Sequence, residues 1–300
     1  MLDLNAAWDA AMRRRDYAAA WEIDGLVLNA RDPVGRDDPG LPYHRRWVWD
    51  GRPFQGRHVL VRCYHGLGDT LQYARYLPVL AAYAASLTVE LQPALVRIVA
   101  SIPGIDRLVP FDPAHPLPPS DCDIEIMELA FALRVTPETL RPPYLYSPAT
   151  ASPAGTVGLC WQAGDWDAAR AIPEALMASL AAGPSLSLMP RPTALDVLNP
   201  DGCPPDVART AALVAGLDLV ITVDTMIAHL AGTLDRPTWL LLKHDADWRW
   251  GDRQRDSPWY PSMRLYRQPR PGDWGAVVAD AVRDLKRFRQ TQHIPKESTK

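Results

Sequence analysis

Two aspartates stand where a parallel sheet could present them to a ligand. Asp69 belongs to Gly66-Leu67-Gly68-Asp69-Thr70, directly after an apolar run at 58–64 that reads as a strand. The carboxyl ends of strands in an open α/β sheet face the ligand crevice. A carboxylate there can take a proton from an attacking hydroxyl, or it can cap the helix that follows. Asp224 closes the β-branched run Leu219-Val220-Ile221-Thr222-Val223, which has the pattern of a buried strand. A helix through Thr225, Met226, Ile227 and His229 follows, and backbone N–H groups at such a junction bind anions. Thr225 and His229 are four apart and share a helix face, so both could meet a phosphate. Asp224 would repel one and is assigned to capping and loop shaping. An ordinary capped core helix with a half-buried histidine, bonded to a backbone carbonyl, fits the same residues.

Three further places could bind. Arg170 follows the strand that ends at Trp161. Near a helix start it could clamp a phosphate in bidentate fashion, or it could be a solvated surface arginine. Trp248 and Trp250 alternate with Asp247 and Arg249. On an extended segment they would share one side and could stack on a sugar or a base, or else cement a domain contact. Asp245-Ala246-Asp247 is the nearest approach to a metal motif. Carboxylates this close usually face water, so no metal is expected. The Gly66/Gly68 turn lets backbone approach a ligand, but the third glycine of a dinucleotide fingerprint is replaced by Leu71, and no redox cofactor is expected.

Composition limits the classes. The chain has 300 residues, 47% hydrophobic and 22% charged, with a net charge of −3. That is enough apolar material for one large or two ordinary domains. The charge, with no Lys/Arg block, argues against a nucleic-acid partner. No apolar run is long enough to span a bilayer, and the amino terminus lacks a signal-peptide pattern. Four separated cysteines without a Cys-x-x-Cys fit a reducing compartment.

The elements that must position these residues alternate. Residues 5–30 read as two short helices resembling one tetratricopeptide unit, which cannot bury its own face and must pack on the body or on a partner. Residues 31–57 are an irregular connector. Strands follow at 58–64, 87–91, 107–110 and 123–127, with helices at 71–85 (bent by Pro78), 94–101 and 129–133. Residues 141–155, rich in Pro and Ser, mark a domain boundary. Beyond it come strands at 156–161, 185–189, 217–223 and 238–242. Helices are expected at 173–182, 206–216, 226–232 and 274–288, and the last dozen residues should fray. Sequential strand–helix units predict parallel sheets covered on both faces. The divisions are a hairpin and connector (1–45), a first α/β domain (46–150), a second (151–270) and a closing helix with tail (271–300).

Taken together, three motifs resemble glycosyltransferase family 9, the family of the ADP-heptose:lipopolysaccharide heptosyltransferases. They are Gly66-Leu67-Gly68-Asp69-Thr70-Leu71-Gln72-Tyr73-Ala74-Arg75-Tyr76-Leu77-Pro78, the segment from Val223 through His229 to Gly232, and Asp256-Ser257-Pro258-Trp259-Tyr260-Pro261. More closely, the chain resembles the glycosyltransferase domains of bacterial tetratricopeptide-repeat fusion proteins. The resemblance implies a GT-B architecture: α/β, with two Rossmann-like domains facing a cleft, the acceptor on the first and the nucleotide sugar on the second. It implies an inverting, metal-independent transfer to a cell-envelope glycan or a protein, in the cytoplasm or peripheral at the inner membrane. Asp69 would be the general base, with Gly66, Gly68, Thr70 and Gln72 forming the acceptor-side loop. Trp161, Arg170, Asp224, Thr225, Met226, Ile227 and His229 would line the donor. A protein partner could dock on the hairpin. The chain departs from the family at 162–169, which has no Lys or Arg, and at Pro190-Arg191, where relatives carry an acidic residue or Gln for the ribose. These departures leave open a catalytically inactive scaffold that binds a sugar nucleotide or a partner protein. A sugar-nucleotide epimerase of the same fold has no positive support.

Overall fold

The computed structural model describes residues 3–164 and 167–292; the expected frayed tail beyond Gln292 lies outside them. The chain divides into two compact units. The first runs to Ser147 and also takes Asp247–Asp252 and Pro258–Tyr260; the second comprises Pro148–Ala246, Arg253–Ser257 and the chain from Pro261.

The first unit opens with the helical hairpin α1 (Leu4–Arg13) and α2 (Tyr17–Asn29). Asp3 and Asp16 cap the two helices by accepting first-turn N–H groups, as short acidic side chains do. Two short 3₁₀ turns, Pro33–Gly35 and Tyr43–Arg45, break the connector. Four strands follow, β1 (His58–Arg62), β2 (Ser86–Leu91), β3 (Arg107–Pro110) and β4 (Cys122–Glu125), in the order β3-β2-β1-β4 with every pairing parallel. Helices α3 (Leu67–Tyr73), α4 (Leu77–Ala81), α5 (Val96–Val99) and α6 (Leu129–Leu133) connect them. The helix expected at 71–85 therefore starts four residues early, so Asp69 lies inside it. It breaks into a 3₁₀ turn at Ala74–Tyr76. Pro78 then sits in the first turn of α4, where a missing N–H costs nothing.

The second unit holds β5 (Val157–Cys160), α7 (Glu174–Met177), β6 (Ser185–Ser187), α8 (Val207–Ala215), β7 (Leu219–Val223), α9 (Met226–Thr233), β8 (Thr238–Leu242), β9 (Met263–Arg267) and α10 (Trp274–Gln292). Its sheet is again wholly parallel, in the order β6-β5-β7-β8-β9. Helix α7 has one turn where 173–182 was expected, with Pro173 as its N-cap. Strand β9 was not anticipated, because burial of Tyr266 breaks its alternation. No helix among the described residues is long and apolar enough to cross a membrane.

Each sheet reverses winding direction once. In the first, the chain runs β1, β2, β3 to one side and returns to β4, so the switch lies between β1 and β4. In the second it lies between β5 and β7. Ligands of open α/β sheets bind outside the carboxyl ends of the strands at such points.

Candidate active site

At the β1/β4 switch, Gly66 is the N-cap of α3 and Asp69 its third residue. Asp69 Oδ2 accepts the Gly66 N–H at 3.0 Å, so this carboxylate does cap the helix, from inside its first turn. Oδ1 accepts Arg249 Nη2 at 2.5 Å. Arg249 also donates from Nη1 to Asp247 Oδ1 at 3.0 Å and from Nε to Gln72 Oε1 at 2.8 Å, and it lies 4.5 Å from the Trp248 ring centroid. Burial alone would lower the Arg249 pKa, but Asp247 and Asp69 outweigh it and hold the guanidinium above its ordinary value. Asp69 keeps 24% side-chain exposure against 11% for Arg249. The cation is enclosed, and the carboxylate it fixes still meets solvent.

Glu125 ends β4 beside Arg62 of β1. Its Oε2 accepts the Met127 N–H at 2.8 Å, and its Oε1 lies 3.6 Å from His65 Nε2. Burial pushes the Glu125 carboxyl well above the usual carboxylate range, with Glu128 and Asp69 adding to the shift. Burial lowers the His65 imidazole, against the pull of Asp69. Both shifts favour neutral forms, whereas Asp69 stands in an ion pair with Arg249.

Thr70 and Gln72 are buried, so they reach Asp69 only through their partners. Thr70 Oγ1 donates to Gln92 Oε1 at 3.0 Å, and Gln92 Nε2 donates to the His65 carbonyl at 2.7 Å. Gln72 holds Arg249. Gly66 contributes the N–H that Asp69 accepts, and Gly68 lies within the first turn of α3. Buried Arg75 explains why the first and third motifs occur together. It donates to the carbonyls of Gln72 and Trp259, both at 2.9 Å, and its guanidinium lies 4.9–5.4 Å from the rings of Tyr144, Tyr260 and Trp259. The conjunction is a clamp that seats Pro258–Tyr260 on α3.

The expected extended segment at Trp248 and Trp250 is instead a 3₁₀ turn. Residues two apart in such a turn point to different sides. Trp250 is fully buried and cannot stack on a ligand. Trp248 packs edge-on against Trp8 of α1 at 4.9 Å and against Trp259 at 6.1 Å. Trp248 thus packs within the first unit.

At the β5/β7 switch of the second unit, Thr225, not Asp224, is the N-cap of α9, and its side chain makes no capping bond. The expected Asp224 cap fails because the strand-to-helix turn takes one more residue. The Asp224 carbonyl instead accepts Arg170 Nη1 at 2.9 Å. Asp224, Thr225 and Met226 are half-buried, while Ile227 and His229 are buried in the unit. Trp161 is buried too, and its carbonyl accepts the Ile172 N–H at 2.9 Å. Lys243, directly after β8, reaches Asp167 Oδ2 at 2.8 Å; its hydrogen bond holds the Asp167 carboxyl below its ordinary value.

Arg249, Glu125, His65 and Lys243 were not singled out from sequence. Glu125 and Lys243 carry a usable signal, since each stands at the carboxyl end of a strand. Arg249 carries none, because its partner lies 180 residues away.

Solved glycosyltransferases share this fold. A glycosyl transferase family 9 protein from Veillonella parvula matches with a TM-score of 0.56 at 11% identity, over 80% of this chain and 98% of that one. The bacterial iron-containing dodecameric glycosyltransferase TibC of enterotoxigenic E. coli matches at 0.55 and 14%, over 79% and 78%. The E. coli ADP-heptose LPS heptosyltransferase II matches at 0.51 and 14%, over 77% and 99%. No family model and no curated protein sequence matches the chain. The likeness is one of fold: an α/β chain of two parallel-sheet units of the GT-B kind, preceded by a helical hairpin.

Proposed function

We propose that this protein is an inverting glycosyltransferase that moves a sugar from a nucleoside-diphosphate donor to a hydroxyl of a glycan or protein acceptor. The observation that carries the reading is Asp69, held by Arg249 and the Gly66 N–H at the switch point of the first sheet. The acceptor hydroxyl attacks the anomeric carbon, and Asp69 takes its proton. The bond from that carbon to the diphosphate oxygen breaks, and its electron pair leaves with the diphosphate. An inverting displacement needs a base on the attacking oxygen and positive charge or N–H donors on the leaving group. The second unit carries the latter in Arg170, Lys243 and the amino terminus of α9. We read the transfer as metal-independent, since these groups can meet the diphosphate charge. ADP-heptose, named for one fold neighbour, is a first donor to try. The alternative, a catalytically inactive scaffold that binds a sugar nucleotide or a partner protein, is favoured by 162–169 having no Lys or Arg, and donor stabilisation without turnover in the screen below would support it. The hairpin that resembles a tetratricopeptide unit packs on its own unit through Trp8 and Trp248.

The test is a screen of ADP-, GDP- and UDP-sugars for thermal stabilisation and for turnover, with and without EDTA. Asp69→Asn should lower turnover about 10²–10⁴-fold while donor stabilisation persists, and EDTA should have no effect. Unchanged turnover in Asp69→Asn would remove the base assignment.

A further inference from the structure

A cavity of about 330 Å³ lies within the first unit, between the α1–α2 hairpin, the segment around Trp47 and the carboxyl end of β4. Tyr73 and His65 reach its wall. Tyr73 stands one helical turn after Asp69 on α3, so the two share a helix face. Trp8, Trp21 and Trp47 supply flat apolar faces.

The polar groups of this cavity are unevenly satisfied. Glu125 is over nine-tenths buried, and no donor among the described residues reaches its Oε1 within hydrogen-bond distance; His65 stops at 3.6 Å. Glu128 Oε1 accepts from Arg31 Nη2 at 2.5 Å, and its Oε2 likewise has no protein donor among the described residues. Leaving such acceptors unmet costs free energy, so a buried one calls for a donor from outside the protein.

The walls also carry both signs. Asp24 joins the two glutamates, and Arg31, Arg45 and Arg46 face the same space. Neither a cation nor an anion gains a one-signed site. A neutral hydroxyl does, because it donates to a carboxylate and accepts from a guanidinium. A guest with a flat C–H face and several hydroxyls, small enough for this volume, is a single sugar ring.

We propose that this cavity binds one neutral pyranose, with ring hydroxyls donating to Glu125 Oε1 and Glu128 Oε2 and the ring against the tryptophan faces. Identifying that ring as the end of the acceptor rests on the transferase reading; its binding does not. The hairpin thereby becomes a wall of a sugar site.

The experiment is a tryptophan-fluorescence titration of the full chain with methyl glycosides of glucose, galactose, mannose and N-acetylglucosamine. Benzylamine and phenyl phosphate serve as charged probes and indole as an apolar one. At least one glycoside should give a saturable change. Glu125→Gln should weaken it at least fivefold, and Ala130→Phe, which fills the cavity without touching a polar group, should abolish it. Both variants should keep the nucleotide-sugar thermal shift, which also checks that they fold. The proposal is overturned if no glycoside saturates the wild type, if both variants bind as the wild type does, or if a charged or apolar probe binds more tightly than every glycoside. Glycoside binding without turnover of any nucleotide sugar would sink the transferase reading and leave the ring site standing.

Discussion

The strands of the first sheet bury four charged side chains, Arg62, Glu90, Asp123 and Glu125, whereas those of the second bury no Asp, Glu, Lys or Arg and carry instead the hydroxyls of Ser185, Ser187, Thr222 and Thr238 and the phenol of Tyr266. Both sheets are parallel and both switch direction once, so topology does not explain the contrast. The proposed chemistry does. A proton acceptor must be a side chain held in one geometry, and holding it takes opposed charges. Arg62 donates to Asp123 Oδ2 from Nε at 3.1 Å and from Nη1 to the Tyr64 hydroxyl at 3.2 Å; that hydroxyl donates to Glu90 at 2.6 Å, and Glu90 also accepts the Leu117 N–H at 2.7 Å. Asp123 accepts the Ser120 N–H at 2.6 Å. The network fixes the strand ends from which the Asp69 loop departs. A diphosphate can instead be met by backbone N–H groups and by cations placed beyond the strands. An apolar sheet suffices beneath them.

The contrast can be broken most forcefully by its central pair. Asp123→Ala leaves Arg62 buried without its main partner and should cost about 3–5 kcal/mol. Thr222→Val, in the second sheet, should cost about 1 kcal/mol. Urea unfolding of both variants checks this, and equal losses would show that the first sheet does not depend on its charges. Next comes Arg249→Met, which frees Asp69 from its guanidinium. Misplacement of the base should lower kcat about 10²-fold. Arg249→Lys should recover part of the loss, and an unchanged kcat in Arg249→Met would leave Arg249 a packing residue.

The second unit should answer differently. Lys243→Ala removes one half-exposed cation beside Asp167. Donor KM should rise about tenfold, the equivalent of one charge-assisted bond, with kcat nearly unchanged. Steady-state kinetics with the donor varied separates the two. A fall in kcat of the size expected for Arg249→Met would erase the division of labour between the units.

Much of this was legible before any coordinates. Eight of the nine strands fall where strands are expected from the sequence, and β9 escaped because Met263-Arg264-Leu265-Tyr266-Arg267 buries Tyr266 out of alternation. The start of α3 was misplaced because glycines at 66 and 68 read as loop, whereas only Gly66 is outside the helix. Asp69 was visible as a carboxylate after a strand. Its partner was not, since an arginine between two tryptophans reads as surface until the fold brings it to α3. Trp248 and Trp250 misled for a related reason: alternation fixes sidedness only if the backbone is extended, and Asp247 turns it by accepting the Arg249 N–H at 3.0 Å.

The smallest expected effects are two opposite slopes. Burial, with Glu128 adding and Trp8, Arg134 and Arg31 opposing, raises the Asp24 carboxyl from 3.8 to about 6. Between these values the native chain keeps a proton that the unfolded chain has lost, so wild-type stability falls as pH rises through that window and stays lower above it. Asp24→Asn removes this term. The variant should gain on the wild type between pH 4 and 6 and hold the gain at pH 7, by about 2–4 °C in Tm for a gain of ~1 kcal/mol. Asp167, in the second unit, is shifted the other way, chiefly by its hydrogen bond from Lys243. Its contribution is present above the ordinary carboxylate value and lost as pH falls through the lowered one. Asp167→Asn should therefore be the less stable chain at pH 7 and lose that deficit in acid. Melting curves of both variants from pH 3 to 7 would thus cross the wild type in opposite senses. If both variants instead gained stability with rising pH, Asp167 would be governed by burial like Asp24, and the cations of the second unit would not be organised around it.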